Sequence, residues 1–92
     1  MDYYIITYDI RDDQRRNKIF KLLKGFAAPV QFSVFEGYMR REDAVQLQYQ
    51  IRKLMHGRSD SVCFYRQCAR CMEQIERLGV KVEVYGNSDI II

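Results

Sequence analysis

The first apolar run of this chain, Tyr3-Tyr4-Ile5-Ile6-Thr7-Tyr8, is cut by a carboxylate at Asp9 and followed at once by a cationic stretch, Arg11-Asp12-Asp13-Gln14-Arg15-Arg16-Asn17-Lys18. Residues 2–10 are rich in Ile and Tyr and free of Gly and Pro, so they read as a buried strand with Asp9 at its C-terminal edge. The run is too short to span a membrane, and it lacks the cationic start of a secretory signal. Three cysteines, an odd number, fit a reducing cytoplasm better than a disulfide framework. The expected location is the cytoplasm, with no membrane partner.

Asp12 or Asp13 can cap a helix whose apolar positions Ile19, Phe20, Leu22 and Leu23 recur at helical spacing, with Gly25 as its stop. Residues 30–39 alternate as a second strand, Val30, Phe32 and Val34 on one face and Gln31, Ser33 and Phe35 on the other. A helix over 41–55 follows, its stripe being Ala44, Leu47, Ile51, Leu54 and Met55, with Glu42 and Asp43 at its start. Ser61 to Tyr65 is a third strand. Cys68, Cys71, Met72, Ile75 and Leu78 predict a helix stopping at Gly79, and Val80 to Tyr85 a strand before a turn and Ile90-Ile91-Ile92. With the second helix taken as an insert between strands 2 and 3, this order gives an α+β, ferredoxin-like split βαβ sandwich, one domain over 1–92.

Ninety-two residues bury only roughly 60–65% of their unfolded surface. In this architecture the helices cover one sheet face. The other must meet water or a partner, and Phe35 with the tyrosines of the first strand argues for a partner, as does a terminal triple isoleucine that is hazardous on an open edge. A homodimer answers both needs.

The net charge of +3 is modest, but Arg11, Arg15, Arg16, Lys18, Lys21 and Lys24 face only Asp12 and Asp13 within their stretch. On pattern alone this is read as a solvated helix face. Asp9 alone reads as a turn or cap residue. The sole histidine, His56, falls at a helix end, where a contact with the C-terminal dipole accounts for it. Cys68 and Cys71 lie on an apolar stripe with no second ligand pair, which favours buried thiols over zinc. The third strand lacks the aromatic pattern of an RNA-recognition motif, and the five glycines are dispersed, so no phosphate-cradling loop is present.

Tyr8-Asp9-Ile10, then Arg15-Arg16-Asn17-Lys18, then Val30-Gln31-Phe32-Ser33-Val34-Phe35-Glu36, closely resemble the small CRISPR-associated protein that partners the CRISPR integrase, a family also classed as metal-dependent endoribonucleases. The resemblance implies a homodimer in which Asp9 faces its symmetry mate across the cleft between protomers, with residues 88–92 packing on the partner protomer. It implies a scaffold that holds duplex DNA phosphates through Arg11, Arg15, Arg16 and Lys18 while spacers are inserted, with Tyr8 and Phe35 in supporting places. It also implies a Mg²⁺- or Mn²⁺-dependent endonuclease, acting on RNA or DNA, with Asp9 as metal ligand. Mg²⁺ takes only one or two carboxylates beside waters and phosphates, so paired Asp9 residues suffice. The alternative is an mRNA interferase toxin of the virulence-associated D type, with the same fold and aspartate.

Overall fold

The computed structural model describes residues 1–80. Strand β1 (Asp2–Asp9) leads into helix α1 (Asp13–Lys24), then come strands β2 (Ala28–Gln31) and β3 (Val34–Met39), helix α2 (Arg41–Leu54), strand β4 (Ser61–Gln67) and a short helix α3 (Ala69–Glu73). The strands form one sheet in the order β2-β3-β1-β4, with each neighbouring pair antiparallel. This is the ferredoxin-like βαββαβ order.

Residues 28–39, expected as one strand from residue 30, form a hairpin instead. Ser33 takes φ 61°, in the left-handed region, and the chain reverses at Phe32 and Ser33. The turn is anchored because the Tyr8 N–H donates to the Ser33 carbonyl at 3.1 Å. Pro29, which cannot donate to a ladder, sits on the edge strand β2, beside a register shift between Pro29 and Gln31. With the hairpin in place, α2 is the second crossover of the fold and not an insert between strands.

Asp12 caps α1, its carboxylate accepting from the Arg15 N–H at 2.9 Å. Glu42 and Asp43 sit in the first turn of α2 and Arg52 and Lys53 in its last, matching the helix dipole. Both helices cover the same sheet face, where Tyr4, Ile6, Tyr8, Phe35 and Met39 meet Ile19, Leu23, Ala44, Leu47 and Ile51. Phe35 is therefore a core residue and not part of a partner-facing surface: it is fully buried, with Phe20 of α1 edge-on at 5.2 Å and Tyr8 at 6.1 Å. Phe32 instead projects from the turn, 90% exposed.

The opposite face carries Tyr3, Ile5, Thr7 and Asp9 of β1 by alternation. One end of it is covered by the segment after β4. Tyr38 donates to the Met72 sulfur at 3.3 Å, Tyr3 donates to Glu36 at 2.5 Å, and the Arg77 guanidinium pairs with Glu36. Burial first, then the Glu36 hydrogen bond, pushes the Tyr3 phenol well above its ordinary pKa. The helix expected through Leu78 stops at Glu73 because the chain turns to deliver Arg77 to Glu36, leaving Leu78 exposed. The strand predicted from Val80, apart from Val80 itself, and the terminal isoleucine strand lie outside the described residues. No helix among the described residues is long and apolar enough to cross a membrane.

Candidate nucleic-acid interface

Asp9 ends β1 opposite Ser61 of β4 and is exposed. Its charged neighbour is Arg11, whose Nη2 lies 3.6 Å from Asp9 Oδ2. Both side chains are largely in water, 64% and 70% exposed, so the pair is loose and either group can be taken up by a ligand. Sequence and structure agree in bringing these two together.

Arg15 and Arg16 have other engagements. Arg15 donates from Nε to Asp60 Oδ2 at 2.8 Å and from Nη2 to Asp60 Oδ1 at 3.2 Å. Arg16 donates to the Ile10 carbonyl at 3.0 Å and pairs with Asp13. Arg15 thus ties α1 to the loop before β4 and Arg16 ties it to the loop after β1, and a phosphate would have to compete with these partners. Lys18 is exposed on α1. No ion pair joins it to Asp9 among the described residues. Tyr8 lies in the core beneath α1, where burial raises its phenol pKa.

Asp60 is the residue that sequence reasoning missed. It is buried just before β4 and also accepts the backbone N–H groups of Arg11 at 3.0 Å and His56 at 2.9 Å. The Arg15 hydrogen bond, with those two N–H donors, holds its carboxyl well below the usual carboxylate range against the opposing effect of burial. One carboxylate thus ties the β1–α1 loop to the α2–β4 loop and fixes the backbone from which Arg11 projects. The available signal was an acid placed directly before a strand, which by itself reads as a turn residue. His56 lies beyond the end of α2, its ring Nδ1 3.3 Å from Ser59 Oγ, and its N–H serves Asp60. That replaces the expected dipole contact with a loop contact.

Cys68 and Cys71 are exposed, their sulfurs 3.5 Å apart, contrary to the expectation of buried packing. The helix that Cys68 precedes and Cys71 belongs to is too short to present an apolar stripe to the sheet. The Cys71 N–H lowers the Cys68 pKa, and the Cys68 hydrogen bond raises that of Cys71.

No cluster of three or more metal-ligating side chains occurs among the described residues. Asp9 is an open carboxylate at the end of β1, and by itself it is one ligand for a divalent cation. That fits a hydrated Mg²⁺ or Mn²⁺ only where a second copy or a phosphate supplies further oxygens.

The family model described as CRISPR associated protein Cas2 matches residues 1–75. A relative from Chloroflexus aurantiacus, named CRISPR-associated endoribonuclease Cas2 1, is 44% identical over 91 residues, 98% of each chain. A solved structure of a hypothetical protein from Thermus thermophilus superposes with a TM-score of 0.77 at 37% identity, covering 86% of this chain and 92% of that one. A chain from a partial Cas6-RT-Cas1–Cas2 complex gives 0.71 at 25% identity, with 85% of each chain covered.

Proposed function

This chain belongs to the CRISPR-associated Cas2 family, and on that premise we propose that two copies join through their open sheet faces into a nucleic-acid-binding scaffold for a CRISPR integrase, with a divalent-cation nuclease site at the paired Asp9 residues. The observation that carries this reading is the state of Asp9: an exposed carboxylate at a strand end, on the face that the helices leave bare, beside an exposed arginine. The Cas1–Cas2 assembly named for one structural neighbour supports the integrase partner, and the names of the relatives support the nuclease. The toxin alternative has no observation of its own to favour it.

Each residue then has a distinct part. Asp9 from two protomers would hold Mg²⁺ or Mn²⁺, since like carboxylates at a symmetry axis need a cation to stay jointly ionised. Such a cation, when bound, neutralises phosphate charge and activates water. Arg11 and Lys18 contact phosphates, which carry charge and no base identity, so duplex binding is general in sequence. Arg15 and Arg16 act as positioning residues, through Asp60 and the Ile10 carbonyl, by fixing the loop that presents Arg11.

The test compares the wild-type chain with Asp9→Asn in cleavage of RNA and DNA, with Mg²⁺ or a chelator, and in integration with the cognate integrase. Cleavage is expected to need both Mg²⁺ and Asp9, while duplex binding survives in Asp9→Asn. Retained integration in that variant supports the scaffold role. Chelator-resistant cleavage by Asp9→Ala, or loss of duplex binding with Asp9→Asn, contradicts the proposal.

A further inference from the structure

A groove of about 540 Å³ opens between α2 and β4 on the helix-covered side of the sheet, the side opposite Asp9. Met55, just past the end of α2, and Phe64 of β4 make its floor apolar, and Phe64 stands edge-on to Tyr4 with ring centroids 6.3 Å apart. Three guanidiniums line it: Arg41, Arg52 and Arg66. Arg41 and Arg66 share one end, because Arg41 Nη1 donates to Tyr4 Oη at 3.5 Å and Tyr4 is the register partner of Arg66. At 1.5 Å per residue, Arg52 lies about 16 Å from Arg41 along the helix axis, at the other end.

The charge at the Arg41 end is poorly balanced. Asp2 is the carboxylate in range of these three arginines among the described residues, 3.8 Å from Arg66 Nη1. Glu42 and Asp43, the acids nearest Arg41 in sequence, pair with Arg40 at 3.9 and 3.3 Å. Arg41 also stands in the first turn of α2, where the helix dipole disfavours a cation. Two guanidiniums therefore converge at this end with Asp2, on Arg66, as their one carboxylate partner among the described residues, next to an apolar floor with an aromatic ring.

We infer that this groove binds a nucleoside monophosphate unit, its phosphate between Arg41 and Arg66 and its base over Met55 and Phe64. Arginine suits the first half, since its fork of donors matches a phosphate, and an aromatic floor suits the second, since every base has a π-face. The same charges would attract an acidic peptide, but a groove of this volume accommodates one compact ligand, and a planar base matches its floor better than acidic side chains do. The site is separate from the Asp9 surface and does not rest on the function proposed for it.

The test is an NMR titration of the ¹⁵N-labelled full chain with 5′-AMP, adenosine and inorganic phosphate in turn. AMP is expected to shift the amides of Gln48, Arg52, Phe64 and Arg66 while leaving Asp9 and Arg11 unmoved. Adenosine and phosphate alone should each bind roughly tenfold or more weakly, the loss expected when charge-assisted hydrogen bonds or the apolar contact are missing. Arg41→Ala with Arg66→Ala should weaken AMP by at least a similar factor, and Phe64→Leu provides a second variant that keeps the core filled and weakens AMP without changing phosphate binding. Pentanucleotides with a 5′-phosphate or a 5′-hydroxyl separate the two sources of the unit. Groove shifts with the phosphorylated strand indicate a strand end, and shifts with AMP alone a free nucleotide. Equal affinity for adenosine and AMP, shifts confined to Asp9 and Arg11, or a stronger groove response to a polyglutamate peptide than to AMP would overturn the inference.

Discussion

Two carboxylates stand at the same end of the sheet, Asp9 closing β1 and Asp60 just ahead of β4, and an arginine accompanies each. Asp60 has a side chain with no exposure, a two-point contact with Arg15 and two backbone N–H donors, whereas Asp9 is 64% exposed and 3.6 Å from Arg11. Asp60 has its lone pairs satisfied within the chain, and so it holds loops together. Asp9 has oxygens left over for a cation. Chemical identity is the same in both, and hydrogen-bond satisfaction separates a carboxylate committed to the fold from one left open.

The largest expected effect breaks the structural half of this comparison. Asp60→Ala removes the acceptor of Arg15 and of the Arg11 and His56 backbone N–H groups, so the melting temperature should fall on the order of 10 °C, and Arg15→Ala should lower it in the same direction. A melting temperature within about 2 °C of wild type for Asp60→Ala would show that the knot between the loops is dispensable.

Acid titration sharpens the same contrast. The folded pKa of Asp60 is depressed below its ordinary 3.8, so the unfolded state binds the proton more readily and stability rises with pH. The Asp60 contribution is present above about pH 4 and fades as pH falls below it. Melting curves from pH 7 to pH 2 should therefore fall less steeply in Asp60→Asn than in wild type, from a lower starting point, and parallel curves would contradict the assignment.

The two arginines differ in the same way. Arg11→Ala should flatten the log–log salt dependence of duplex binding by about 0.9 for each phosphate contact removed, with little change in melting temperature. Arg15→Ala should change melting first, and binding only as far as the loop loosens. A salt slope that responds to Arg15 and not to Arg11 would reverse the division of roles.

Asp9→Asn should show the smallest effect on stability. An exposed substitution away from caps and cores stays within about 0.5 kcal/mol, a shift of no more than about 4 °C. A larger loss by differential scanning calorimetry would mean that Asp9 is structural after all.

This contrast also explains what the sequence could convey. Asp9 was legible because its place follows from a local event, an apolar run ending in charge, and α1 and α2 were legible from periodic stripes such as Ala44, Leu47 and Ile51. The hairpin was not, because Val30 to Met39 carries no Gly or Asn at its turn, and a serine adopts the left-handed backbone at residue 33. Missing that reversal put Phe35 on the wrong face, since a turn resets the alternation. Asp60 escaped because its partners Arg11 and Arg15 lie 49 and 45 positions away in the chain. The α3 stripe failed because apolar spacing says nothing of whether a surface is free to receive it, and Arg77 took the chain to Glu36 instead.

The claim that Asp9 is the open carboxylate of a shared cation site is tested most directly by electron paramagnetic resonance of Mn²⁺ titrated into the chain with a short duplex present. The account predicts one bound ion per two chains in the wild type, lost in Asp9→Asn while duplex binding persists. One ion per chain, or the same occupancy in Asp9→Asn, would contradict it.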